Sequence, residues 1–335
     1  MERDKLADLL KGYACLLVII GHVMVGIQNC GISVPNYFSV TVKFIWSFHI
    51  DLFMFLSGYV FSITGGVLSK GGRTAFLLNK LMSLGVPYLI FSCLYIAVNS
   101  ITPGVNNSSS LSDIVRIWYK PIAQYWFIFA LFWIFAVWTV VTKFVRNNIA
   151  VTAFMYAVFI ICKCFKINLG LLDSSFNCVL AFGLGACKKT LNISAVPKVL
   201  RVFTVVFHIA AAVMLIKSNL YSKLFIDDFL TVFGIFSSVC LISLISEIPP
   251  VSSSLSFICK YSFPLYLMHT FFTAGARIVL LRAGVSSIPL HLMAGIAAGI
   301  LFPVVAAKIA QRSPYLNFFF YPSRSVKQIK AMREN

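Results

Sequence analysis

Apolar residues in this chain gather in long, nearly unbroken stretches, with polar residues confined to the short segments between them. A helix needs about 20 apolar residues to cross a ~30 Å hydrocarbon layer. Stretches near that length fall at 10–29, 40–64, 80–100, 123–143, 149–165, 172–188, 199–217, 228–247, 256–280 and 289–310. The fifth and sixth are short, and one or both are expected to be tilted or re-entrant. No soluble domain fits between any two stretches, and no internal repeat is visible. The pattern predicts an all-α, polytopic membrane protein of about ten transmembrane helices. Residues 1–311 would form the membrane domain and 312–335 a basic cytoplasmic tail.

Composition strengthens this reading. The chain is 59% hydrophobic and 11% charged, whereas soluble domains carry about 25% charged residues. A net charge of +18 would ordinarily raise nucleic acid as a partner. In a polytopic protein, however, basic residues collect in cytoplasmic loops and set orientation. With the N-terminus inside, about two thirds of the 28 Lys and Arg fall on the inner side, so both termini are expected in the cytoplasm and no nucleic acid is expected. The nine cysteines are odd in number and lie mostly in apolar runs, where they read as small packing residues. The first 25 residues mimic a signal peptide without a small-x-small cleavage site, and read as a retained helix. The longest outer connection, 101–122, carries the turn-rich TPGVNNSSSLSD. The tail, YLNFFFYPSRSVKQIK, reads either as a surface-lying segment on anionic lipid or as a frayed terminus.

Ionisable residues inside these stretches are the candidates for chemistry, because each is costly in hydrocarbon. Lys11 and His22 are eleven positions apart in the first stretch. On a helix they share a face to within ~20° and lie ~16 Å apart along the axis. Counting ~1.5 Å per residue puts His22, His49 and His269 at one depth, about 16–20 Å from the inner edge. His208 falls at a similar depth, and His291 reads as interfacial. Asp51 is the one acid well inside a stretch and points about 200° away from His49. Ser57 reads as a nucleophile only if a base is near, and otherwise, with Gly58, as a close-packing point. Tyr266 shares a face with His269 and is placed to orient it. Tyr125 and Trp126 read as an outer aromatic belt. The inner loop 65–80, with Lys70, Arg73 and Lys80, offers positive charge to an anionic donor but lacks a phosphate-loop pattern. Three histidines without an evident carboxylate support argue against a metal site.

These residues resemble a known family. Lys11-x10-His22 is similar to the Arg/Lys-x10-His signature of the acyltransferase-3 family, bacterial integral-membrane O-acyltransferases that modify surface polysaccharides. His49-Ile-Asp-Leu-Phe-Met-Phe-Leu-Ser57-Gly58-Tyr59 resembles its second-helix motif. Gln124-Tyr125-Trp126-Phe127 and Tyr261-Ser262, Tyr266 and His269 resemble later landmarks. The clustered arginines that many members carry before the third helix are reduced here to Lys80 and the more distant Arg73. The resemblance implies transfer of an acetyl group from cytoplasmic acetyl-CoA, as co-substrate with no bound cofactor, to a sugar hydroxyl of a lipid-linked polysaccharide. The site would lie among membrane lipids in the bacterial inner membrane. His22 would act as base or as acetyl relay, with His49 and His269 orienting it or stabilising the oxyanion. Lys11, with Arg73 and Lys80, would hold the donor. Asp51, Ser57, Tyr59, Tyr125, Trp126 and Tyr266 would support. The rival reading is a transporter or flippase of a lipid-linked glycan, for which ionisable residues at the midplane mark a pathway.

Overall fold

A computed structural model describes residues 4–68, 71–193, 195–220 and 224–334. Among the described residues all regular structure is helical. In chain order the helices are α1 (Lys5–Gln28), α2 (Asn36–Trp46), α3 (His49–Ile63), α4 (Gly72–Lys80), α5 (Val86–Ile101), α6 (Trp126–Val141), α7 (Asn148–Cys164) and α8 (Asp173–Asn177). They continue with α9 (Val179–Ala186), α10 (Lys198–Lys217), α11 (Leu224–Ile245), α12 (Pro249–Lys260), α13 (Ser262–Arg282), α14 (Ile288–Ala310), α15 (Pro314–Asn317) and α16 (Pro322–Glu334). Eight stretches within the described residues are long and apolar enough to cross a membrane. They match eight of the ten predicted runs. The other two are the short ones. The fifth is α7, at 17 residues, and the sixth is split at Cys178 into α8 and α9.

Three breaks refine the predicted edges. The second run is interrupted at Ser47–Phe48, so that His49 opens a new helix. The third run begins earlier than its apolar edge, because 72–80, read as an inner loop, is the helix α4. A π-helical turn, Leu81–Gly85, joins α4 to α5. Pro87 follows it and has no N–H to return to Ser83. The ninth run breaks at Tyr261, which separates the amphipathic α12 from α13. Lys70 lies outside the described residues.

Lipid provides no hydrophobic drive between helices, so close backbone approach at small residues must supply packing. Gly12 of α1 lies against the Leu255 carbonyl of α12, and Gly58 of α3 against the Phe182 carbonyl of α9. Gly185 of α9 meets the Phe55 carbonyl in return. In α14, Gly295 and Gly299 form a Gly-x3-Gly face, and added Cβ atoms there would strike Val23 of α1 and Thr273 of α13. The core thus places α1 between α3, α12, α13 and α14. The tail is folded back on the bundle rather than frayed: the rings of Phe91 and Phe320 are 5.5 Å apart and those of Phe263 and Tyr321 5.8 Å apart.

Candidate active site

Helices α1 and α13 run side by side in the same direction. Cys15 Sγ lies 3.9 Å from the Ser262 carbonyl. Seven residues further along each helix, the rings of His22 and His269 meet with centroids 5.0 Å apart. His269 is fully buried and His22 half-buried. His49 joins less directly. The Trp46 indole stands between it and His22, with centroids 5.8 Å from each imidazole. The sequence-predicted trio is therefore gathered, but as His49–Trp46–His22–His269 rather than three imidazoles in mutual contact.

Hydrogen bonding fixes two of the imidazole tautomers. His269 Nδ1 is 2.9 Å from the Leu265 carbonyl and 3.0 Å from the Tyr266 carbonyl. Carbonyls only accept, so Nδ1 carries the proton and Nε2 is left as a basic lone pair in the neutral ring. That Nε2 is buried and has no partner. His49 Nδ1 similarly donates to the Ile45 carbonyl, at 2.8 Å. Ile45 would bond the His49 amide in an unbroken helix, so here the side chain satisfies a carbonyl freed at the break, as hydrocarbon demands. Phe48, at the break, sits against Gly234, whose missing Cβ leaves the space. His208 packs its ring against Phe44 and Phe48, each at 5.3 Å, on the far side of α2. It shares the depth but not the cluster. His291, in the first turn of α14, is buried against the preceding connection, with Nε2 2.9 Å from the Val285 carbonyl.

The supporting residues divide. Tyr266 does not touch the His269 imidazole with its ring. It accepts from it through its carbonyl and donates its hydroxyl to the Gln124 carbonyl at 2.6 Å. Tyr125 donates to the Leu267 carbonyl at 2.8 Å, and Gln124 Nε2 donates to Thr270 Oγ1 at 2.7 Å. This clasp pins the start of α6 across α13 on both sides of His269. Tyr125 is fully buried, so the aromatic-belt reading fails for it, while Trp126 beside it is half-buried. Ser57 spends its hydroxyl on the Phe53 carbonyl, 2.8 Å away in its own helix. With Gly58 it is a packing point. Tyr59 donates to Asp4 at 2.5 Å, tying α3 to the start of α1. Asp51 accepts from Thr231 of α11 at 3.1 Å and faces that helix.

Lys11 is exposed on α1. Arg73 donates to the Thr142 carbonyl at 3.1 Å, and Lys80 Nζ lies 4.0 Å from the Phe135 ring centroid. Both therefore sit where α4 meets α6, and Lys11 stands apart from them on α1. Among the described residues no three His, Cys, Asp or Glu are grouped as metal ligands.

A cavity of about 350 Å³ opens from His22 towards the connection after α5. Its walls are α1, α5, α13 and residues 105–107. Asn106 closes one edge by donating to the Gly26 carbonyl at 3.1 Å. Sequence reasoning missed Trp46, Thr270 and Arg277 as parts of this site, and gave Gln124 only as part of a landmark without a role. The signal was present on α13: Thr270, Thr273 and Arg277 fall at i, i+3 and i+7, a polar stripe in a membrane helix.

Comparison with known proteins gives the family. The curated nodulation protein NolL of Mesorhizobium japonicum is 34% identical over 150 residues, covering 44% of this chain and 38% of that protein. The matched stretch is thus well under half of the relative's length. No solved structure matches the chain. The family described as an acyltransferase domain matches residues 5–308, a span holding every histidine of the cluster and both helices that carry its central pair. With a match of that extent, the chain belongs to the acyltransferase-3 family of integral-membrane acyltransferases.

Proposed function

We propose that this protein is an O-acetyltransferase of the bacterial inner membrane. It moves an acetyl group from cytoplasmic acetyl-CoA to a sugar hydroxyl of a lipid-linked surface glycan, such as O-antigen. The observation that carries this reading is the His22–His269 pair, rings 5.0 Å apart, at the end of the 350 Å³ cavity. A cavity of that size is in the range of small-ligand sites.

A sugar hydroxyl is a poor nucleophile until a base removes its proton, and a positioned imidazole typically supplies 10²–10⁴-fold. His22 faces the cavity and takes the hydroxyl proton. The hydroxyl oxygen attacks the thioester carbonyl, the C–S bond breaks, and the leaving thiolate receives the proton that His22 took, giving CoA-SH and restoring the neutral imidazole. The His269 Nε2 lone pair, unpartnered beside the His22 ring, would take up an N–H from His22 as that ring acquires the hydroxyl proton, and so aim the His22 base. Trp46 and His49 hold the other side of the His22 ring. Lys11, down the same face of α1, binds donor phosphates, and Arg73 and Lys80 add positive charge at the same end of the bundle. Phe61 of α3 and Phe76 of α4, with rings 5.9 Å apart, link that end of α3 to α4.

The test uses the whole chain in proteoliposomes, with radiolabelled acetyl-CoA supplied on the Lys11 side and lipid-linked glycans as acceptors. Label should enter the glycan with the wild type, and His22→Ala should lower the rate at least about 100-fold while inserting normally. Near-normal transfer by His22→Ala would sink the assignment of the base. Absence of transfer to every glycan by the wild type would sink the function.

A further inference from the structure

We propose that Arg277 forms an oxyanion site for the acceptor, so that the acetylated hydroxyl lies about one sugar ring away from a phosphate or carboxylate on the same molecule. This inference rests on the acyltransferase reading above, and it adds the chemical class of the acceptor.

Arg277 lines the cavity that begins at His22. Among the described residues it forms no ion pair and donates no hydrogen bond, and its Nε is buried without a partner. The acid on the neighbouring loop, Asp113, is taken by Arg116 at 3.5 Å. Arginines at membrane depth normally face a partner, and those without one mark a substrate path. The fold makes room for this side chain. A Cβ on Gly26 would lie 2.6 Å from Arg277 Nη1, so the guanidinium lies directly on the backbone of α1. Thr270, on the same face of α13, already accepts from Gln124, which leaves its own O–H to donate into the cavity.

The spacing selects the ligand. Arg277 is eight residues beyond His269, but its side chain leans back towards the helix N-terminus. Its head meets Gly26, only four residues beyond His22, or about 6 Å along the axis. A planar guanidinium suits the paired oxygens of a phosphate or carboxylate, which it binds with two parallel hydrogen bonds. The two sources sharing that chemistry are the phosphate that joins a glycan to its lipid and the carboxylate of an acidic sugar.

Two measurements test this on the full chain in proteoliposomes. The first is transfer kinetics with a lipid-phosphate-linked glycan, a uronate-containing oligosaccharide and a neutral oligosaccharide. Arg277→Gln should raise KM for the anionic acceptor about tenfold or more, leave kcat within a few-fold, and leave the neutral acceptor unchanged. Arg277→Lys should fall between, and Gly26→Ala, which displaces the guanidinium, should mimic it. Whichever anionic acceptor responds identifies the source. Equal losses on anionic and neutral acceptors, or no change on any, would overturn the proposal. The second readout needs no turnover. Phenylglyoxal modification of Arg277, followed by mass spectrometry with exposed Arg282 as internal reference, should be slowed by farnesyl phosphate or glucuronate and not by methyl glucoside. Protection in a protein that transfers no acetyl group would keep the oxyanion site and remove the acetyltransferase reading. Turnover with no protection by either anion would do the reverse.

Discussion

At the scale of single residues, the site depends on where two imidazole protons are held. His269 donates Nδ1–H to main-chain carbonyls and leaves Nε2 bare. His269→Leu removes that lone pair and leaves no acceptor in its place, while keeping an apolar side chain of roughly similar size. It should lower kcat about 100-fold with little change in acceptor KM, measured as initial rates over a range of glycan concentrations. A large rise in KM with unchanged kcat would instead place His269 in substrate binding. His49 has a second duty, since its Nδ1 caps the Ile45 carbonyl at the break before α3. His49→Ala leaves that carbonyl only the long Phe48 N–H contact at 3.5 Å, at a cost of about 1 kcal/mol for the lost bond. The variant should melt at lower temperature in detergent even without substrates, whereas His22→Ala, with no such bond, should not. Ser57 was legible as a packing residue because Ser-Gly in a lipid-buried helix has a known use. Tyr125 was not, because an aromatic opening a membrane stretch looks the same whether its ring faces headgroups or a neighbouring helix.

Helices place those residues through breaks and close approaches. The Lys11–His22 spacing could be read directly, since one unbroken helix carries both and the period fixes the face. The interruptions at Ser47–Phe48 and Tyr261 could not, although Ser47 with His49 and Lys260 with Ser262 and Pro264 flank them, because a run-length reading averages such residues into the span and hydropathy has no term for a freed carbonyl. Arg277 was hidden for a related reason. Counted with other basic residues near an outer end, it served only as an orientation signal, and its role emerges when α1 and α5 are brought beside α13. The glycine contacts give a test at this scale. Gly58→Val would drive a branched side chain into the Phe182 carbonyl of α9. It should cost at least about 1–3 kcal/mol by overpacking and sharply reduce folded yield in size-exclusion profiles. Gly275, with open space around its Cβ position, should accept Ala without loss.

For the whole molecule, the ten apolar runs foretold the helical inventory, while the arrangement around α1 came from contacts distant in sequence. Orientation remains an expectation from charge. In a cysteine-depleted background, Lys330→Cys should be labelled by an impermeant maleimide only from the cytoplasm and Ser109→Cys only from the opposite side. Labelling of both from one face would refute the assigned topology. The pairing of α1 with α13 has a further mechanical consequence. From Cys15–Ser262 to His22–His269 each helix advances by the same seven residues, close to two full turns. The two helices therefore mesh like a pair of racks. One alanine inserted after Leu17 would swing His22 by about 100° and turn it off the cavity, although every span would still be long enough to cross the bilayer. The enzyme's tolerance to changes of length in α1 should therefore end at the first tooth of that rack.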